Sequence, residues 1–112
     1  MKMITAVIQP SRLAPVRAAL GFFGVRWLTV SEVMGERPDQ LEVGIYRGAA
    51  RVARAVPRLR LEILADDADA EDLLHVIITA ATSGRVADAS VRVTQVEQLV
   101  RVRTGERGTD AL

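Results

Sequence analysis

Pro57-Arg58-Leu59-Arg60-Leu61-Glu62-Ile63 leads, four residues on, into Asp67-Ala68-Asp69-Ala70-Glu71-Asp72-Leu73-Leu74. In the first part Leu59, Leu61 and Ile63 alternate with Arg58, Arg60 and Glu62, the period-two signature of a strand with one apolar face. In the second part the period changes. Ala70, Leu73, Leu74, Ile77, Ile78 and Ala81 fall on one stripe of a helix. Asp67 or Asp69 is placed to cap it, Glu71 and Asp72 in its first turn suit the dipole, and Gly84 is placed to stop it. Val91, Val93 and Val96 then indicate another strand. The stretch reads as strand, helix, strand.

Working outward, the first half repeats the pattern. Ile4, Ala6 and Ile8 alternate within Met3 to Gln9. Ser11 is a plausible N-cap and Pro15 falls near the first turn, where a missing N–H costs least. Leu13, Val16, Ala19 and Leu20 form a helical stripe that Gly21 and Gly24 end, and Val25 to Val33 reads as a strand with Trp27 and Thr29 on one face. From Met34 to Val56 periodicity weakens. Gly35-Glu36-Arg37-Pro38-Asp39-Gln40 is turn chemistry, so a long loop is expected over about residues 36–55. Two βαβ halves predict an α+β, ferredoxin-like domain over residues 1–112: one antiparallel sheet with both helices on one face. The other face keeps apolar side chains, so assembly is expected to cover it.

Composition excludes several classes. The chain has 112 residues, 49% apolar and 26% charged, an ordinary globular balance. Without cysteine it has no disulfide, thiolate metal site or thiol nucleophile. A net charge of +1 gives no bulk attraction to nucleic acid, and Phe22, Phe23, Trp27 and Tyr46 are not interleaved with basic residues as a base-stacking platform would be. Lys2 is the one lysine among the basic residues, the rest being arginine, which base composition of the coding sequence would also explain. Met1-Lys2-Met3 runs directly into the first strand pattern without an apolar leader, and no stretch approaches the length of a membrane span. A cytoplasmic protein without membrane insertion is expected. His75, the single histidine, falls on the polar side of the second helix near Glu71 and Asp72, where a solvated role is expected.

The C-terminal segment, residues 99–112, carries the sharpest chemical signal: Arg101-Val102-Arg103-Thr104-Gly105-Glu106-Arg107-Gly108. Val100 and Val102 alternate with Arg101 and Arg103. A short strand would set the two guanidiniums on one face roughly 6–7 Å apart, a spacing that suits a polyphosphate or carboxylate cluster. This run, Tyr46-Arg47-Gly48-Ala49, and Leu28-Thr29-Val30-Ser31-Glu32-Val33 leading to Gly35 together resemble the signatures of the PII signal-transduction proteins. Those are trimeric nucleotide-binding regulators of nitrogen metabolism, and the resemblance runs the whole chain.

The resemblance implies a homotrimer that binds ADP, AMP or ATP between subunits and controls a transporter or metabolic enzyme through its long loop. It implies no catalytic residue. Thr29 matches a threonine that contacts adenine, and Glu62 a glutamate at the same end of the cleft. Arg101 and Arg103 match two phosphate-binding arginines, and Gly35 the glycine that opens the loop. Arg58 stands where the family has a lysine for 2-oxoglutarate or the terminal phosphate. Read without the resemblance, Thr29 and Glu62 are a strand threonine and a solvated strand acid, and the two arginines a solvated face or an inter-subunit ion pair.

Departures from the family pattern bear on affinity. The family's Gly-Lys/Arg-Ile-Gly-Asp-Gly-Lys loop reads Gly84-Arg85-Val86-Ala87-Asp88-Ala89-Ser90 here. Ala87 and Ala89 each add a Cβ against close phosphate approach, and Ser90 deletes a cation. The family's Gly-Phe-Gly-Arg-Gln becomes Gly35-Glu36-Arg37-Pro38-Asp39-Gln40, placing Asp39 at the Mg²⁺-binding glutamine position. Asp39 is thus a weak candidate for a hard cation, and otherwise a surface acid after Pro38. The loop-tip tyrosine that is uridylylated in enteric relatives is replaced by Arg51, and Tyr46 is not its equivalent. These changes predict reduced preference for ATP and no synergy with 2-oxoglutarate. They also raise a second reading, a degenerate PII-fold adaptor that binds partners without sensing nucleotide. An acylphosphatase-like enzyme is disfavoured because no nucleophile-positioning motif accompanies the arginines.

Overall fold

The four strands join in the order β2-β3-β1-β4, every pairing antiparallel, with β1 at Lys2–Ile8, β2 at Thr29–Glu42, β3 at Val52–Ala65 and β4 at Ser90–Gln95. Helix α1, Leu13–Phe23, follows β1, and α2, Asp67–Ala81, follows β3. The computed structural model describes residues 1–42, 52–82 and 89–112. The ferredoxin-like βαβ-βαβ arrangement expected from the sequence is therefore the observed one. Crossover helices of two βαβ units necessarily lie on one side of the sheet.

Alternation decides which face those helices cover. Ile4, Ala6 and Ile8 of β1 stand directly opposite Ile63, Leu61 and Leu59 of β3, and all six are buried. Val16 and Leu20 of α1 and Leu73, Ile77 and Ala81 of α2 complete the core. Leu74 is half-buried and Ile78 exposed, so the stripe of α2 is narrower than its sequence implied. Arg12 ties the two helices together: its Nε and Nη2 donate to the carbonyl of Ala80 at 3.2 and 2.7 Å, satisfying an otherwise unpaired acceptor in the last turn of α2.

The opposite face is more polar than the sequence reading proposed. Register places Met3, Val7, Val33 and Leu64 there beside Thr5, Arg58, Arg60, Glu62 and Arg92. Thr5, flanked by Glu62 and Arg92, is only 8% exposed.

Several boundaries move, each for a local reason. A 3-10 turn at Pro10–Arg12 precedes α1, so Ser11 lies inside it rather than capping the helix. Gly21 continues α1 and Gly24 alone ends it. At Gly24 φ is 107°, its N–H reaches the Leu20 and Gly21 carbonyls, and the N–H of Val25 reaches Leu20 at 3.0 Å. That is the Schellman closure, in which the left-handed residue lets the chain turn back on the last helical carbonyls. A Cβ at Gly24 would meet no atom within 4 Å, so the conformational penalty acts alone. Gly24→Ala is expected to lower stability by about 1–2 kcal/mol, read as a shift in urea midpoint; an unchanged midpoint would refute it.

Val25 to Leu28 is not strand. Val25 and Leu28 pack against the core as connector, and β2 begins only at Thr29. At α2 the capping position is Asp66, its carbonyl accepting from Asp69, so Asp67 and Asp69 lie in the first turn and Glu71 and Asp72 beyond it. The α-ammonium of Met1 hydrogen-bonds Asp67 and holds that carboxyl below its usual pKa. The stop signal at Gly84 lies outside the described residues; α2 ends at Ala81, with Thr82 donating back to Ile78. The fourth strand ends at Gln95, one residue short of Val96.

The largest difference is in the expected loop. Gly35 and Glu36 pair with Val56 and Ala55, and Leu41 and Glu42 with Ala53 and Val52. Between these pairs, five steps along β2 answer two along β3, so Arg37 to Gln40 bulge outward around Pro38. The described ends of that segment, up to Glu42 and from Val52, are thus a two-stranded ribbon. Gly35 sits within β2 and does not open a loop.

Candidate functional site

A groove of about 800 Å³ opens at the end of the sheet where β2 begins and β3 ends. Register builds its floor. Thr29 stands directly opposite Glu62, which brings their Cβ atoms to about 5 Å. Glu62 is paired with Arg60 two residues earlier on β3, whose Nε lies 3.3 Å from the Glu62 carboxylate. Arg101 enters the same groove from the C-terminal segment. Trp27, 80% exposed, and Leu64, 38% exposed, supply apolar wall. A concave apolar lining with a few convergent polar groups is the usual anatomy of a small-molecule site. Here Thr29, Glu62 and Arg101 supply a hydroxyl, a carboxylate and a guanidinium, and Arg26, Asp66 and Asp69 add further charges to the lining.

Arg101 and Arg103 do not share a strand face. Residues 102–104 form a turn closed by the N–H of Gly105 on the Arg101 carbonyl at 2.7 Å and by the N–H of Arg101 on the Glu106 carbonyl at 2.9 Å. The strand pairing is a single bridge, Val100 to Arg107. Gly105, at φ 74°, makes the reversal. Arg101 therefore points into the groove, its Nη2 donating to the main-chain oxygens of Ala111 and Leu112 at 3.2 Å each, while Arg103 is exposed on the turn and outside the groove lining.

The other candidates lie apart. Arg58 sits four residues along β3 from Glu62, about 13 Å away, with Nη1 donating to the Pro57 carbonyl at 2.9 Å. Ala89 packs partly on the core, and Ser90 begins β4 opposite Val7. Ala87 and Arg51, with Tyr46 and the rest of its run, fall outside the described residues. Asp39 is exposed and ion-paired to Arg37 at 3.5 Å, and no group of three potential metal ligands converges among the described residues. His75 is exposed 3.8 Å from Glu71.

Arg26, Trp27, Asp66 and Asp69 line the groove without having been singled out as site residues. The usable signal was position: they flank Thr29 and the end of β3 in sequence.

The model of the family described as Nitrogen regulatory protein P-II matches residues 1–106. This chain belongs to the P-II family. It is 38% identical over 112 residues to the nitrogen regulatory protein P-II of Azospirillum brasilense, and equally to that of Rhizobium meliloti, with each chain covered in full. Among solved structures it resembles Arabidopsis thaliana PII bound to citrate, with TM-score 0.81, 31% identity, and coverage of 99% of this chain and 91% of that one. P-II proteins are signal-transduction regulators of nitrogen metabolism, and this member is a regulator and not an enzyme. Among the described residues no helix is long and apolar enough to cross a membrane.

Proposed function

We propose that this P-II protein is a cytoplasmic homotrimeric regulator that binds an adenine nucleotide in clefts between subunits. The segment joining β2 to β3 then docks on a target transporter or enzyme. The convergence of Thr29, Glu62 and Arg101 in one groove carries the reading. Thr29 and Glu62 offer hydrogen-bonding groups to the edge of a base, Trp27 and Leu64 offer apolar contact, and Arg101 offers charge to the phosphates. Arg58 and Ser90, at other places on the sheet, are the groups a neighbouring subunit would bring to the open side of that groove. Nucleotide binding would then act by shifting the population of conformations of the β2–β3 segment. The citrate held by the plant relative agrees with an anion-binding role.

Ala89 and Ser90 favour weak phosphate binding, because the first adds a Cβ and the second lacks a cation. Isothermal titration with ATP, ADP and AMP is expected to give binding without the usual preference for ATP. Addition of Mg²⁺ and 2-oxoglutarate is expected to give no gain. Tight Mg²⁺-ATP binding strengthened by 2-oxoglutarate would refute the affinity argument. Absence of binding by all three nucleotides would favour the constitutive adaptor, which the same two residues support.

Assembly has its own test. The open sheet face carries Met3, Val7, Val33 and Leu64 among arginines and Glu62, and a second and third copy would cover it. Light scattering at micromolar concentration is expected to report a trimer; a monomer would overturn the proposal.

A further inference from the structure

We infer that the C-terminal segment from Gly108 onward is an intramolecular competitor for the anionic part of the groove ligand, and that ligand binding displaces it. The inference rests on the reading of the groove as an anion-binding nucleotide site.

The chemistry lies in which nitrogen the segment takes. A guanidinium grips a phosphate or carboxylate bidentately through one of two forks, Nη1 with Nη2 or Nε with Nη2. Nη2 is common to both. In this structure Nη2 of Arg101 donates to the main-chain oxygens of Ala111 and Leu112, each at 3.2 Å. While the segment is seated, Arg101 keeps Nη1 and Nε, which do not form a fork together. An arriving anion then gets single contacts only. Both acceptor residues also line the groove beside Thr29, Glu62 and Trp27, so they take volume as well as donors.

The seat is shallow enough to give way. The 3-10 turn at Gly108–Ala111 buries only Ala111, a single methyl group. Its N–H at Leu112 bonds within the turn, to Thr109. At its root Gly108 holds φ 63° and donates to the Leu99 carbonyl at 2.9 Å, a left-handed joint about which the following residues can swing. The hairpin carrying Arg101 is closed by separate bonds, between Arg101 and both Gly105 and Glu106, and does not depend on the seat. A diphosphate carries more negative charge than the Ala111 carbonyl and a main-chain oxygen of Leu112 together, so ligand is favoured over segment once it arrives.

The test uses ADP and, separately, inorganic pyrophosphate, which probes the arginine without an adenine end. In the full-length chain Ala111→Leu overfills the buried slot without adding charge, and a second variant ends after Thr109. Both are expected to bind each probe about tenfold more tightly than the unaltered chain, one regained charged contact. The gain should vanish in an Arg101→Ala background, and circular dichroism should show the fold unchanged in each variant. Trp27, the one tryptophan, reports the change through its fluorescence. Unchanged or weaker binding in both variants would overturn the inference, as would a gain that persists without Arg101 or an absence of binding in every form. A gain for pyrophosphate alone would uphold the competitor and refute the nucleotide reading.

Discussion

Leu61→Ala is expected to remove about 3 kcal/mol of stability, within the range for a buried leucine that leaves a cavity. Leu61 is fully buried at the centre of β3, where register sets it between Ala6 of β1 and Val30 of β2. Ala6 is too small to fill the space, and helices cover the site from above. In a domain held by roughly 5–15 kcal/mol, such a loss is a large fraction of the total. It should appear as a lower urea midpoint at unchanged slope, measured at fixed protein concentration because assembly would shift the midpoint too. Val30→Ala is the comparison, because Val30 is 40% exposed on the edge strand and should cost about 1 kcal/mol or less. Equal losses at the two positions would refute this account of the core.

Arg101→Ala is expected to weaken binding of ADP about 10- to 100-fold, the loss of one charge-assisted contact. Thr29 and Glu62 remain to hold the base, so residual binding should persist. Arg103→Ala should do less, because Arg103 stands exposed outside the groove lining, whereas the family resemblance alone would have Arg103→Ala abolish binding. Arg101→Lys should recover only part of the loss, since an ammonium has no planar fork. Calorimetric titration decides the order. A larger loss at Arg103 than at Arg101 would mean that the turn reorganises around the ligand.

What could be read in advance follows burial. Leu59, Leu61 and Ile63 alternate because a helix layer covers one side of β3, and Ala70, Leu73, Ile77 and Ala81 repeat because the sheet covers one side of α2. Where neither face is covered, nothing imposes a period. The strand from Gly35 to Glu42 contains Gly, Pro and four charged residues, so its chemistry is that of a turn although its backbone pairs with β3. Around Arg101, alternation over four residues was too short to distinguish a strand from a hairpin held by one bridge. Gly105 was the legible sign of reversal. The groove itself was half legible: Thr29 and Glu62 were found by resemblance, but their pairing across β2 and β3 is a long-range register that no local pattern contains. The contact of Arg101 with Ala111 and Leu112 belongs to the same class.

The ribbon has a mechanical consequence. Strand β1 supports β3 only from Leu59 to Ala65, so the part of β3 from Val52 to Arg58, with its β2 partner, projects beyond the last cross-braced rung of the sheet. Seven residues of strand give a moment arm of about 20 Å. A tilt of 10° at the base would carry the outer end through about 3.5 Å, roughly the rise of one strand residue. The arm is pinned where Gly35 and Glu36 meet Val56 and Ala55, a few residues from the rungs that also carry Thr29 and Glu62. Events too small to repack the helices can therefore be converted into displacements as large as a docking register.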